Sequence, residues 1–232
     1  YEVIKSLTTS TGYGDGIAGD KTLVLSANLT VDGTNAGSCA SCATVAVEHQ
    51  LLAPGGYTAT SIFRNDGTIT LRGGEQAIGI VIDSEGLQFT TRARTINNGS
   101  IIINNTRSIG IDFGAYYSNV LNVGVDTGNI TINGSQNYGL RIPNLTTLLD
   151  TYYQNTLISG SILQPGNGIE VKGTQNVGVS ISKKISAGTD LIGNITNLNV
   201  LVNGVNEIGI LRRADFDATQ NQDMILNSAV VQ

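Results

Sequence analysis

One short pattern recurs five times in this chain: an alternating apolar strand, a polar turn, then an apolar residue, a glycine and a second apolar residue. The first copy runs from Thr68-Ile69-Thr70-Leu71 to Ile78-Gly79-Ile80, and the second from Ile101-Ile102-Ile103 to Ile109-Gly110-Ile111. The third runs from Ile130-Thr131-Ile132 to Tyr138-Gly139-Leu140, the fourth from Ile169-Glu170-Val171 to Val177-Gly178-Val179, and the fifth from Val200-Leu201-Val202 to Ile208-Gly209-Ile210. Successive glycines are 31, 29, 39 and 31 residues apart. Within a copy, the glycine follows the last strand residue by 7 positions after Ile103, Ile132, Val171 and Val202, and by 8 after Leu71, where Gly73-Gly74 adds one residue.

A fixed inner spacing in a longer, variable period is the mark of a stacked repeat. Ile-x-Ile alternation buries one face of a strand and exposes the other. Strands this short bury no core alone, whereas equivalent strands stacked in register share one. The polar turns then become corners, with Gly or Asn in left-handed backbone angles. Stacked asparagines are expected to form side-chain ladders, and the glycine inside the second strand to mark a bend or a close approach. The expected fold is all-β, a parallel β-helix (β-solenoid) with an irregular N-terminal segment. Residues 1–60 read as irregular first coils or a capping segment, and 61–232 as solenoid repeats with an insertion near 143–165. A leucine-rich repeat needs a shorter Leu-based frame, a propeller wants aromatic anchors where this chain has no Trp, and a sandwich leaves the 30-residue recurrence unexplained.

Composition fits such a surface. Apolar residues make up 40% and charged residues only 13%, so Asn, Thr, Ser and Gly must solvate the exterior. A net charge of −5 supplies no basic face for nucleic acid or anionic lipid. No apolar run approaches the length of a membrane span. The chain opens on Tyr1 without a signal peptide, which reads as a processed or excised fragment.

Few motifs carry chemistry. Cys39 and Cys42 are read as a disulfide, whose short loop is worth about 2 kcal/mol; nothing around them reads as the helix a redox motif would open. A zinc site would need two further ligands, and His49 is the only histidine, so no metal or cofactor is expected. Gly14-Asp15-Gly16-Ile17-Ala18-Gly19 matches a dinucleotide fingerprint but precedes a strand pattern, so it reads as a turn. Asn-x-Ser/Thr sequons start at Asn28, Asn98, Asn104, Asn129, Asn133, Asn144 and Asn194; in a eukaryotic protein they could carry glycans, and otherwise they are what Asn/Thr-rich turns produce. Asp215 and Asp217, near Arg212-Arg213, form the one constellation worth inspecting for catalysis, the competing reading being a solvated face. Tyr116-Tyr117 and Tyr152-Tyr153 are candidate binding residues, since paired tyrosines in loops suit glycan or protein contact; packing on their own solenoid is the alternative.

The Asn-Gly-Ser-Ile turns and polar-Ile-Gly-Ile strands of Asn98 to Ile111, Asn129 to Leu140 and Asn194 to Ile210 resemble passenger domains of type V autotransporters. The nearest in flavour are large Asn/Gly/Ile-rich adhesins of fusobacterial type; the vacuolating-cytotoxin passenger is more distant. The resemblance covers roughly residues 60–211. It implies a right-handed β-helix displayed on the bacterial cell surface, anchored through a C-terminal outer-membrane barrel that this sequence lacks. The expected role is adhesion to a host receptor, a glycan or other bacterial cells, without enzymatic activity. A carbohydrate-active β-helix enzyme and a self-associating structural protein are the alternatives.

Overall fold

The structure, a computed structural model, describes residues 7–10, 21–34, 43–52, 60–85, 92–113, 122–142, 157–159, 168–182, 192–196, 198–213, 224–227 and 230–231. Every regular element among them is a strand. They fall into seven coils of three. The first is β1 (Leu7–Ser10), β2 (Lys21–Leu25) and β3 (Leu29–Asp32); the second is β4 (Thr44–Leu52), β5 (Thr60–Asn65) and β6 (Thr68–Arg72). The third is β7 (Ala77–Glu85), β8 (Arg92–Asn97) and β9 (Ser100–Ile103); the fourth is β10 (Ile109–Phe113), β11 (Asn122–Asp126) and β12 (Asn129–Ile132). The fifth is β13 (Tyr138–Ile142), β14 (Leu157–Ser159) and β15 (Gly168–Val171); the sixth is β16 (Val177–Ser182), β17 (Ile192–Thr196) and β18 (Asn199–Val202). The seventh is β19 (Ile208–Arg213), β20 (Met224–Asn227) and β21 (Val230–Val231).

The first strands of all coils form sheet I, the second strands sheet II and the third strands sheet III, each seven-stranded and parallel. This is a parallel β-helix. Its interior is built of stacked columns. In sheet III, Ile69, Ile101, Ile130, Ile169 and Val200 stand in register, and so do Leu71, Ile103, Ile132, Val171 and Val202. In sheet I the column is Val47, Ile80, Ile111, Leu140, Val179 and Ile210. Most of these side chains are fully buried, so each coil offers its neighbours an apolar floor and ceiling.

The repeat read from the sequence is the unit from sheet III into sheet I. Strict alternation fails in its second strand, where Gly139 and Leu140 are both buried between half-buried Tyr138 and Arg141. A Cβ on Gly139 would lie 2.6 Å from the carbonyl oxygen of Gly178, and the same 2.6 Å separates Gly79 from Gly110, Gly110 from Gly139 and Gly178 from Gly209. The glycine row therefore marks close backbone approach.

The corner from sheet III to sheet I meets expectation only in part. Gly73, Gly74 and Asn206 take left-handed angles as expected of Gly or Asn, but Gln76, Arg107, Gln136 and Gln175 hold φ between 53° and 58° as well. Such angles cost about 1 kcal/mol or more for a residue with a Cβ. Hydrogen bonds between coils impose them. Gln136 N donates to Thr174 O and Gln175 N to Val205 O. The next residue adds a side-chain rung: Ala77 N donates to Ser108 Oγ (2.9 Å), Ser108 N to Asn137 Oδ1 (2.7 Å), Asn137 N to Asn176 Oδ1 (2.8 Å) and Asn176 N to Glu207 Oε2 (2.7 Å). A second ladder lines the corner from sheet II to sheet III. There Asn65 Nδ2 donates to Asn97 Oδ1 (2.8 Å), and Asn97 Nδ2 to the carbonyls of Thr127 and Asn129. The expected asparagine ladders are thus present, buried inside the corners.

Residues 1–60 contribute β1 to β4 to the same sheets. The irregularity there is one of spacing and pairing. Leu29 stacks under Ile69, a longer interval than the later coils use, and the Thr34–Glu75 bridge is antiparallel where the matching bridges further on are parallel. The stretch 143–165 is only partly an insertion, because Leu157–Ser159 within it forms β14 and pairs with β11 and β17.

Candidate functional site

The three kinds of connection differ in length. From sheet III to sheet I the chain crosses 33–43 after the first coil, and then 73–76, 104–108, 133–137, 172–176 and 203–207, which are nearly constant. From sheet II to sheet III it crosses 26–28, 66–67, 98–99, 127–128, 197–198 and 228–229, with one long exception at 160–167 in the fifth coil. From sheet I to sheet II it crosses 11–20, 53–59, 86–91, 114–121, 143–156, 183–191 and 214–223, with wide variation between neighbouring coils. Where their buried ladders run, these two corners keep nearly constant length, with 33–43 and 160–167 as the long exceptions. The third edge varies, and in stacked repeats variable connections gather on the face that makes contacts.

The candidate tyrosines belong to this edge by chain position. Tyr116 and Tyr117 lie between β10 and β11, and Tyr152 and Tyr153 between β13 and β14, in successive coils. All four lie outside the described residues, as do Cys39, Cys42, Asp215, Asp217 and the glycine-rich stretch 14–19.

Many of the described charges stand in ion pairs along the coils. Arg64 forks onto Asp66, Arg72 reaches Asp32, Arg94 meets Asp126, Arg107 meets Glu75, Arg141 meets Asp112, and Lys172 meets Glu170. Most of these link adjacent coils. The tightest joins Arg141 Nε and Nη2 to Asp112 at 2.9 and 2.6 Å, with the Asp112 side chain 6% exposed. Burial pushes the Asp112 carboxyl above its usual range, against the pull of Arg141. Asp66, at the surface, is held low by its hydrogen bonds from Arg64 and Asn98. No group of three or more His, Cys, Asp or Glu side chains arranged to hold a metal occurs among the described residues.

Sequon asparagines serve as rungs. Asn98 Nδ2 donates to Asp66 Oδ1 (3.0 Å), and Asn133 Nδ2 to Asn104 Oδ1 (2.8 Å). His49, considered from the sequence only as a metal ligand, is wholly buried, with Nδ1 3.3 Å from Thr95 Oγ1 and its ring beside Phe63. The sequence signal for that position is its place two residues after buried Val47 in Thr44–Leu52, on the same side of the strand. The chain matches no known protein family, no curated protein and no solved structure.

Proposed function

We propose that this chain is part of a bacterial cell-surface adhesin of the autotransporter-passenger kind. A stiff β-helical stalk carries the connections from sheet I to sheet II as the contact edge for a host receptor, a glycan or another bacterial cell. The observation that carries this reading is the length variation on that edge beside the two ladder-locked corners. Loops on a rigid frame can change length and composition without loss of the fold, which is what a recognition surface requires. Tyr116, Tyr117, Tyr152 and Tyr153 are the contact residues in this reading, since their rings bring large area and a hydroxyl at low entropic cost. Display outside the cell, through an outer-membrane barrel on a longer chain, belongs to the same reading.

The test is to present the chain on beads and measure adhesion to host cells, arrayed glycans and bacterial cells. Replacing 114–121 and 143–156 with Gly/Ser segments of equal length is expected to weaken binding about tenfold or more, as loss of a few anchor residues does. Changing Thr131 and Lys172 on the outside of sheet III and its corner is expected to leave binding intact. A chain that binds nothing, or that binds unchanged after both replacements, sinks the assignment and leaves a spacer.

A further inference from the structure

The tripeptide Asn-Gly-Ser occurs at 98–100 and again at 133–135. Asn-Gly is the pairing in which a side-chain amide lies open to its own backbone, because glycine puts no side chain in the path of its nitrogen. The shared tripeptide gives both sites similar intrinsic reactivity, so the fold is what separates them. Asn98 is half-buried, and its Nδ2 donates to Asp66 Oδ1 at 3.0 Å. The Gly99 nitrogen, the nucleophile at this site, donates to Asn65 O at 2.7 Å, and Asn65 is 0% exposed. That nitrogen must leave a buried bond before it can react.

Asn133 is open at both reacting atoms. The residue is exposed, and its Nδ2 donates to Asn104 Oδ1 (2.8 Å) on another exposed residue, where water replaces the bond at little cost. The Gly134 nitrogen donates to no acceptor among the described residues. We propose that Asn133 is a site of spontaneous, irreversible backbone modification, and that its isoaspartyl product loosens the ladder at its own corner.

The Gly134 nitrogen gives its proton to hydroxide and attacks Asn133 Cγ. The new N–Cγ bond closes a cyclic imide as the Cγ–Nδ2 bond breaks, and Nδ2 takes up a proton and leaves as ammonia. Water then reopens the ring. Cleavage at Cγ leaves aspartate. Cleavage at the backbone carbonyl carbon leaves isoaspartate, whose main chain runs through Cβ and Cγ. In sum, water is consumed and ammonia released, with no oxidant or reductant.

The isoaspartyl product adds an atom to the main chain ahead of Asn137. Asn137 Oδ1 accepts from Ser108 N at 2.7 Å, and Asn137 Nδ2 donates to Asn105 O at 2.9 Å. Ser108 and Asn105 are both buried, so neither bond is readily exchanged for water. A lengthened chain shifts Asn137 against partners that stay in place, and the ladder slackens. The aspartyl product keeps the main-chain length, and its cost is confined to the surface, where Asn104 Oδ1 loses its donor.

Ageing the folded chain in mildly alkaline buffer, with peptide mapping by mass spectrometry, tests the site. Conversion at Asn133 is expected to outrun that at Asn98 about tenfold, the factor set by first breaking the buried Gly99 bond. In urea, where the fold is gone, the two sites are expected to convert at similar rates. The isoaspartyl fraction is expected to lose hydrogen-exchange protection at Ser108 and Tyr138 about tenfold, while Ile69 and Leu71 in β6 keep theirs. Asn133→Gln keeps an amide at the corner but must close a larger, slower ring, and it is expected to hold that protection through the same ageing. Equal rates in the folded chain, or conversion of Asn133 only in urea, overturns the proposal. So does an isoaspartyl fraction with unchanged protection, or the same loss in the aged Gln variant.

Discussion

Asp112 shows what one buried charge does in a fold that stacks like on like. Its column in sheet I runs Val81, Asp112, Arg141, Ser180, so the residue above it is the one that answers its charge. Arg141→Met leaves the carboxylate buried without its fork. Breaking a buried pair costs several kcal/mol, and the third of Arg141 that faces solvent reduces this to about 2 kcal/mol at pH 7. Burial already raises this carboxyl, and losing Arg141 raises it further, so the folded form holds the proton more tightly than the unfolded one. The penalty, read as variant minus natural chain in urea unfolding, should therefore shrink as pH falls from 7 towards 4. Gly139→Ala tests packing in the same strand. Its new methyl would meet the Gly178 carbonyl at 2.6 Å and Ile169 Cγ2 at 3.1 Å, backbone and core that cannot both retreat. A loss of about 2 kcal/mol in the same measurement is expected, in the range of overpacked cores.

At the scale of elements, legibility in the sequence tracked hydrogen bonding. Sheets I and III were readable because the corner joining them is locked: Asn137 must sit where it accepts from Ser108 N and donates to Asn105 O, which fixes the distance from Ile132 to Gly139. Sheet II was mostly hidden. Its strands, such as Arg92–Asn97, Asn122–Asp126 and Leu157–Ser159, share no glycine, and each follows a connection of different length. Its inward positions also admit Asn65, Thr95 and Asn97, which blurs the apolar alternation. The edge from sheet I to sheet II was therefore legible only as two tyrosine pairs and an insertion near 143–165, without the common edge that relates them. Gly or Asn is expected at the left-handed corner positions because φ alone favours them; Gln136 and Gln175 stand there because bonds from the next coil over-determine the angle. The two kinds of connection should respond differently to length. Two residues inserted within 86–91 should cost under about 1 kcal/mol, as closure entropy grows slowly with length. The same insertion within 133–137 displaces Asn137 and orphans buried donors on two coils, for about 3 kcal/mol or more. Thermal unfolding of the two variants separates the cases.

The molecule as a whole is a one-dimensional stack, and its parts are interchangeable to the extent that their columns match. Deleting residues 109–137 removes one full coil, β10 to β12 with the following corner, and joins Ser108 to Tyr138. Ile80 then meets Leu140, and Ile101 meets Ile169, the partners that Ile111 and Ile130 have in the intact chain. Ser108 N finds Asn176 Oδ1, the acceptor that Asn137 N uses now. Arg94 loses Asp126 and Arg141 loses Asp112, but both guanidinium groups are more than a third exposed and remain hydrated. The shortened chain should fold, keep an all-β circular dichroism spectrum, and unfold in urea with a slope about one-seventh smaller, since the slope follows the surface exposed. Deleting 122–137 instead removes two strands and keeps the third, so β10 would lead through 114–121 alone into β13. Two consecutive strands would then claim neighbouring places in sheet I with only that one connection to circle the core, and this variant should not fold. A stable half-coil deletion, or an unfolded whole-coil deletion, would show that the columns are not the unit of this fold.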